Sequence, residues 1–164
     1  MATDDIIPTT NLPALLRNRP SLDQVEAFLL KAGGKVQQFG EVLKDLPVTH
    51  HFTPGLYCRE ILMPAGSVLT SKVHNTEHPF VVSQGSCSVY NEETGESVLI
   101  TAPHFGITLP GTRRLLFIHE DTIWTTFHPT NLTDVEEIER TIIKPHFNPL
   151  LPQGSHTSER RLLK

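Results

Sequence analysis

The 164-residue sequence has few of the features that mark membrane, secreted or nucleic-acid-binding proteins. Its apolar runs are far too short to span a bilayer, and its N-terminus carries acids instead of a basic segment followed by an apolar one. The formal net charge of -4 gives no general electrostatic attraction to nucleic acid. We therefore expect a soluble protein that is not secreted, crosses no membrane and makes no direct contact with nucleic acid.

Cysteine is scarce as well, and several familiar catalytic motifs are missing. The two cysteines, Cys58 and Cys87, fall in separate predicted strands, and without an export signal reduced thiols are favoured over a disulfide. The sequence has no glycine-rich phosphate loop between a strand and a helix, and no nucleophile elbow. The histidines are therefore the main candidates for chemistry.

Short β-forming segments separated by turn residues fill the middle of the chain. One strand is predicted over 56–63, a polar hairpin loop over 91–96, a tight turn over 119–121 and a last strand over 122–128. Strands at this spacing are typical of an all-β sandwich or barrel.

Two helices are predicted on either side of these strands. Ser21 and Gln24 have the spacing of a capping box, and so do Thr133 and Glu136. A second amphipathic piece near Val42 raises the alternative of a helix-turn-helix, but that segment has few cations. We favour helices that pack on the barrel or on a partner.

Prolines punctuate both ends of the chain and predict extended arms, because each proline lacks a backbone donor and disfavours helix before it. These arms lie along neighbouring subunits or are mobile termini. The predicted division is an N-terminal arm at 1–20, a helical segment at 21–47, a β-barrel at 48–130, a C-terminal helix at 131–143 and a tail at 144–164.

Three histidines occur in two segments whose alternation would place them on one face of a strand. His74, His78 and Phe80 fall on one face if no bulge intervenes, and Trp124 and His128 share a face of the last strand. If both faces point inward, His74, His78 and His128 form a three-histidine metal site with open coordination positions. The alternative is separate structural histidines with their own polar partners.

The same region resembles a known superfamily. The resemblance to the two motifs of the cupins, jelly-roll barrels that often hold a divalent metal, is carried by residues 55–66, 74–85, 106–114 and 124–128. Residues 76–85 and 120–128 further resemble small cupin-like proteins of tailed bacteriophages. The resemblance implies a mainly β fold: a single jelly-roll barrel with a short N-terminal helical segment, a C-terminal helix and proline-containing arms. It also implies a homo-oligomer.

The chain departs from the cupin motifs at their usual ligand positions. His74 matches the second histidine, but Lys72 replaces the first, His78 replaces the glutamate and Arg114 replaces the histidine of the second motif. An inward Arg114 would repel a metal and favour an anion, or would pair with Glu77 or Glu60.

The predicted pocket therefore contains Arg114, Glu77 and Trp124. The alternative is a strand shifted by one residue, which places Arg114 at the surface.

Two functions follow from the resemblance and the altered ligands. The first is a non-enzymatic structural or accessory protein, such as a phage virion component in the virion or host cytoplasm, which assembles with itself or with other phage structural proteins. The second is a metal-dependent isomerase, dioxygenase or small-molecule hydrolase that uses iron, manganese, nickel or zinc. The altered ligand positions favour the first function, and no catalytic residue is assigned.

Overall fold

The computed structural model describes residues 12–31 and 46–151. They fall into two compact units: residues 12–31 with 145–151 belong to one, and residues 46–144 to the other. Most of the two predicted arms, at 1–11 and 152–164, lies outside the described residues. So does the amphipathic piece around Val42 and Leu43.

The first unit contains two helices, α1 at Leu12–Leu16 and α2 at Leu22–Lys31. Helix α1 lies within the predicted extended arm, so that prediction is wrong for these residues. Pro13 occupies the first turn of α1, where an N–H group would have no intrahelical partner and proline is tolerated.

The capping box predicted at the start of α2 is present. The Ser21 N–H donates to Gln24 Oε1 at 3.0 Å, and the Gln24 N–H donates to Ser21 Oγ at 3.3 Å. The apolar face of α2 is also as predicted, with buried Leu22, Val25 and Leu29.

The beginning of the predicted C-terminal tail is attached to α2 in the same unit. Asn148 is 1% exposed, and its amide donates to Glu26 Oε2 at 2.8 Å and to the Asp23 carbonyl at 3.1 Å. His146 Nε2 lies 2.8 Å from Asp23 Oδ1. These contacts hold residues 146–148 against the helix.

The second unit is built almost entirely of antiparallel strands. They are β1 (Val48–Thr53), β2 (Leu56–Met63), β3 (Val68–Thr70), β4 (Val73–His74), β5 (His78–Asn91), β6 (Ser97–Thr101), β7 (His104–Thr108), β8 (Arg114–Pro129) and β9 (Ile143–Lys144), with helix α3 (Val135–Ile142) before β9. The main sheet has the order β1-β2-β8-β5-β6, with β3 added to β8 and β7 to β5, and β4 pairs with β9. This confirms the predicted mainly β fold class.

The long strands β5 and β8 divide the main sheet into two halves. Their pairing changes register between Val82 and Cys87. On one side of this irregularity they continue into β2 and β7, and on the other into β3 and β6. Buried residues of both halves form one core: Met63, Phe80, Val82, Cys87, Val89, Ile100, Leu116, Ile118 and Trp124. A jelly roll has this arrangement of two packed halves, although over the described residues the outer strands do not pair to close a barrel.

The predicted turn at 119–121 is wrong, because β8 runs through these residues without a break. Strand β5 absorbs the irregularity in a bulge: Gly85 has φ +82°, and a Cβ there would overlap the Asp121 carbonyl and Thr122. The Ser86 hydroxyl donates to Glu120 Oε2 at 2.6 Å across the same point.

The predicted C-terminal helix is present, but its N-cap differs from the prediction. Asp134, not Thr133, caps α3, since its Oδ1 accepts the Glu137 N–H at 2.8 Å. The predicted aliphatic stripe packs as expected, with Ile138 and Ile142 against Tyr57.

Both cysteines are free, as predicted. Among the described residues, no helix combines the length and the apolar character needed to cross a membrane.

Candidate metal centre

The three histidines that were predicted to share a site meet at one end of the β unit. The ring centroids of His74 and His78 lie 4.4 Å apart, those of His78 and His128 4.5 Å apart, and those of His74 and His128 5.5 Å apart. One ring nitrogen from each residue lies within 4.8 Å of the other two. His78 and His128 are buried, and His74 is half-buried.

Strands β5 and β8 place His78 beside His128. Phe80 pairs with Thr126, so residues two positions further along each strand, His78 and His128, lie next to each other on the same face. The Trp124 face of β8 is the inward one, because Trp124 and His128 are 7% and 1% exposed.

His74 joins the cluster from a different strand, so its position does not follow from strand parity. It belongs to β4, and bends at 75–76 separate it from β5, so the single shared strand predicted for His74 and His78 is wrong. Strand β4 pairs with β9 through His74 and Ile143, and the His74 carbonyl accepts the Gly111 N–H at 2.9 Å. The C-terminal helix and strand therefore position one of the three imidazoles.

Hydrogen bonds leave a free ring nitrogen on two of the histidines. The Thr76 carbonyl accepts from His78 Nδ1 at 3.1 Å, so Nε2 keeps a lone pair. His128 Nε2 lies 3.0 Å from Thr126 Oγ1, a hydroxyl that can donate or accept. His128 Nδ1 is buried and has no hydrogen-bond partner. A buried nitrogen without a partner is costly, and a metal ion is one group that satisfies it.

All three imidazoles are held in the neutral form. Burial and the neighbouring His78 and His128 lower the pKa of His74 to about 3. Burial, with smaller contributions from His78 and Arg59, lowers the pKa of His128 to about 4. Burial also lowers the pKa of His78. Metal ligation requires neutral imidazole, so at neutral pH no proton has to be displaced.

The donor set and the spacing fit a divalent transition metal. Three imidazoles suit zinc, iron or nickel, and three protein ligands leave coordination positions open. Zinc–nitrogen bonds of about 2.0–2.1 Å require the rings to draw together by roughly an ångström. His74, His78 and His128 are therefore the described residues that could hold the metal.

Lys72, which the sequence resemblance placed at a ligand position, forms an ion pair instead. Its Nζ lies 2.8 Å from Glu139 Oε1, and both side chains are largely sheltered from solvent. This ion pair joins the chain segment before β4 to helix α3. It therefore adds a contact two residues before His74.

The predicted pocket is only partly assembled. Arg114 donates to Thr108 Oγ1 at 3.0 Å, and its guanidinium lies 5.6 Å from the centroid of the Phe80 ring. The Phe80 ring stacks on Trp124 at 4.3 Å. Glu77 is exposed, and among the described residues Arg114 forms no ion pair with it. Glu77 is therefore not part of this group, whereas Arg114 and Trp124 are.

Sequence reasoning missed two residues on the inward face of β2. The Tyr57 ring stacks on His128 at 5.9 Å, and its hydroxyl lies 2.8 Å from His50 Nδ1. Arg59 lies on the same face, and its charge lowers the pKa of His74 and of His128. The alternation of β2 was the available signal, since Tyr57, Arg59 and Met63 share one parity.

Fold and site together define a mainly antiparallel β protein with a three-histidine cluster at one end. No protein-family model matches the chain, and no curated protein matches it. Solved structures that resemble it include cupin-domain proteins.

A cupin-2 domain protein of Shewanella frigidimarina is 12% identical with a TM-score of 0.42, and the match covers 63% of this chain and 92% of that one. KdgF from Halomonas sp. is 17% identical with a TM-score of 0.45, covering 57% and 89%. Salicylate 1,2-dioxygenase from Pseudoaminobacter salicylatoxidans is 14% identical with a TM-score of 0.49, covering 74% of this chain and 34% of the dioxygenase. At these identities no substrate or residue role is transferred to this chain.

Proposed function

We propose that the β unit is a metal-dependent enzyme domain that holds a divalent ion through His74, His78 and His128 and acts on a small molecule. The observation that carries this proposal is the buried His128 Nδ1, which has no hydrogen-bond partner, in a cluster whose three imidazoles bring one ring nitrogen each within 4.8 Å of one another. Each ring has one polar partner, but separate structural histidines would not be expected to leave a second ring nitrogen buried and unsatisfied.

The chain's own residues prepare this site in three ways. The Thr76 carbonyl and the Thr126 hydroxyl orient two of the rings, and Glu139 neutralises the nearby Lys72. Three neutral ligands leave the full charge of a divalent ion in place. When bound, such an ion would act as a Lewis acid toward an oxygen atom of the substrate.

The reaction classes that fit are those of the second sequence hypothesis: isomerisation, dioxygenation or hydrolysis of a small molecule. The metal would be iron, manganese, nickel or zinc.

Elemental analysis tests the proposal. The protein is purified without an affinity tag and without added metal, beside a His74→Ala/His78→Ala double variant and a control, His51→Ala, which removes an exposed histidine of β1. We expect about one ion per chain in the parent and in the control, and none in the double variant.

Metal-free protein is then titrated by calorimetry with Zn²⁺, Mn²⁺, Fe²⁺ and Ni²⁺. If the folded parent holds no metal as purified and binds none of these ions, the metalloenzyme function is wrong.

The non-enzymatic structural or accessory role, with a place in a phage virion, stays a prediction from the sequence resemblance. Most residues of the two arms on which it depends lie outside the described part of the chain. The homo-oligomer and the phage partners likewise stay predictions. Light scattering of the purified protein tests the oligomer directly.

A further inference from the structure

In the described part of the chain, two arginines beside the histidine cluster have no carboxylate within ion-pair distance, although Glu139 acts on Arg59 from further away. Burial lowers the pKa of Arg59, and the charge of Glu139 opposes that shift. Among the described residues no acidic oxygen lies within ion-pair distance, 4.0 Å, of Arg59 or Arg114. Both side chains are half-buried. A guanidinium that is withdrawn from water and left without an anion is costly.

Each arginine lies beside a residue that neighbours one of the histidines. Arg59 lies beside Thr126, which contacts His128. Arg114 lies beside Thr108, which pairs with His78. Arg59 lies on β2, opposite Thr126 of β8, on the inward face that also carries Tyr57. Arg114 begins β8, where Thr108 and the Phe80 ring hold its guanidinium.

Electrostatic effects agree with this placement. The charge of Arg59 lowers the pKa of His74 and His128, whereas the charge of Arg114 lowers the pKa of His78.

Two other buried or partly buried cations of the β unit each lie within ion-pair distance of a carboxylate. Lys72 lies 2.8 Å from Glu139, and Arg113, which is 7% exposed, lies 3.9 Å from Glu92. The fold therefore supplies carboxylates to cations that have a structural role. Among the partly buried cations described in the β unit, Arg59 and Arg114 are the arginines without a carboxylate oxygen within 4.0 Å.

We infer that Arg59 and Arg114 form an anion site around the histidine cluster, and that its ligand is a small organic dicarboxylate. This inference rests on the proposed function for the role of that ligand as substrate, but the anion site itself does not require the metal. Guanidinium presents a planar fork of donors that matches a carboxylate in bidentate fashion. Two such groups near one cluster provide one guanidinium for each carboxylate of a dicarboxylate.

Charge and shape at the site favour such a ligand. The two guanidinium groups carry two positive charges beside three neutral histidines, and Glu139, the carboxylate that acts on Arg59, is already paired with Lys72. The stacked Phe80 and Trp124 rings beneath Arg114 offer an apolar wall for the carbon skeleton.

Calorimetry with malonate and succinate tests the anion site, with malonamide and succinamide as neutral probes of the same size. Each probe is titrated into metal-free and metal-loaded protein. The variants are Arg59→Gln and Arg114→Gln, with Arg140→Gln as the control, since Arg140 is exposed on α3.

We expect at least one of the diacids to bind, and to bind about tenfold or more weakly to either variant than to the parent and the control. The diamides should not bind measurably. Equal affinity of the parent and both variants for the diacids, or equal affinity of a diamide and its diacid, would overturn the inference.

The metal-free titrations separate the two proposals. If the parent holds no metal but loses diacid affinity in the arginine variants, the anion site stands and the metal function fails. If metal binds normally in every variant and no diacid affinity depends on the arginines, the anion site fails and the metal function stands.

Thermal unfolding of Arg59→Met distinguishes a ligand-binding arginine from a structural one. Removal of an unpaired half-buried charge should leave the melting temperature of the ligand-free protein unchanged or raised. A marked fall would indicate a structural partner and contradict the inference for Arg59.

Discussion

At the scale of single residues, the orientation of His128 decides whether the cluster can bind a metal. Its ring is fixed by one hydrogen bond between Nε2 and Thr126 Oγ1 at 3.0 Å, and by stacking on Tyr57. With Nε2 at this hydroxyl, Nδ1 is the buried ring nitrogen without a protein partner, and it is the nitrogen that would bind a metal.

We therefore predict that Thr126→Val weakens metal binding by about 10- to 100-fold, as loss of a hydrogen bond behind a metal ligand usually does. Thr125→Val is the matched control, because Thr125 points to the other face of β8. Competition with a chelator measures both affinities. Equal affinities in the two variants would show that Thr126 does not orient the ring.

Gly106 is a second residue on which the site depends. A Cβ at this position would overlap the Phe80 ring, which is in contact with Arg114 and Trp124. We predict that Gly106→Ala lowers the free energy of unfolding by about 1–3 kcal/mol, as overpacking does.

Urea unfolding of a double-mutant cycle with Phe80→Leu checks the cause. If the ring is the obstacle, Gly106→Ala should cost less in the Phe80→Leu background. An equal cost in both backgrounds would assign the effect to the backbone of β7.

The cluster itself was predictable from residue types, and its surroundings were not. Inward parity was a sound reason to group His78 with His128, whereas His74 joins them from β4, which the parity argument did not foresee. Arg59 was missed because the sequence does not show which residues contact an arginine in a β-strand. Those contacts are known only once the pairing of the strands is known. The pairing of Lys72 with Glu139 was hidden for the same reason, since 67 residues separate them.

At the scale of secondary structure elements, helix α3 and strand β9 form a support for His74. The Asn75 N–H donates to the Ile142 carbonyl at 2.8 Å, and Ile138 and Ile142 pack against Tyr57. An element that the sequence showed only as an amphipathic helix thus positions a candidate ligand.

The N-cap of α3 provides a test of this element. We predict that Asp134→Ala costs about 1 kcal/mol of stability, because the Glu137 N–H loses its acceptor. Thr133→Ala should cost little, although the sequence pattern placed the cap there. Chemical denaturation compares the two variants. A larger loss for Thr133→Ala would support the capping box that the sequence predicted.

Local sequence patterns predicted the positions of helices and strands better than they predicted the positions of the turns and breaks between them. The Ser21 capping box was right because its hydrogen bonds are local and need no tertiary partner. The turn at 119–121 was wrong because Gly85 and Ser86 of another strand accommodate the polar residues in a bulge. The shared strand of His74 and His78 failed because β4 turns away to pair with β9.

At the scale of the whole molecule, the histidine cluster links folding stability to pH. In the folded chain the pKa of His74 is about 3, that of His128 is about 4, and that of His78 is also lowered. In the unfolded chain each returns to about 6.5. Between these values the unfolded chain binds more protons, so the free energy of unfolding falls as the pH decreases.

We predict that metal-free protein is most stable with respect to these groups above pH 6.5 and loses stability as the pH falls from about 6.5 toward 4. Each histidine contributes a slope of up to about 1.4 kcal/mol per pH unit. Urea unfolding from pH 7.5 to pH 4.5 measures the slope, with His74→Gln/His128→Gln compared against the parent. The double variant should have a shallower slope because two of the titrating groups are gone.

The control variant His51→Gln changes an exposed histidine and keeps the cluster. Its free energy of unfolding should therefore have the same slope against pH as that of the parent. Saturating metal should raise the stability of the parent by a nearly constant amount from pH 7.5 to pH 4.5, because the folded imidazoles of His74 and His128 are already neutral there and hold no proton that the ion must displace. That gain should be absent from the double variant, which lacks two of the three candidate ligands. Equal slopes for all three proteins, with no gain of stability in metal, would show that these imidazoles are neither withheld from protons by the fold nor available to a metal.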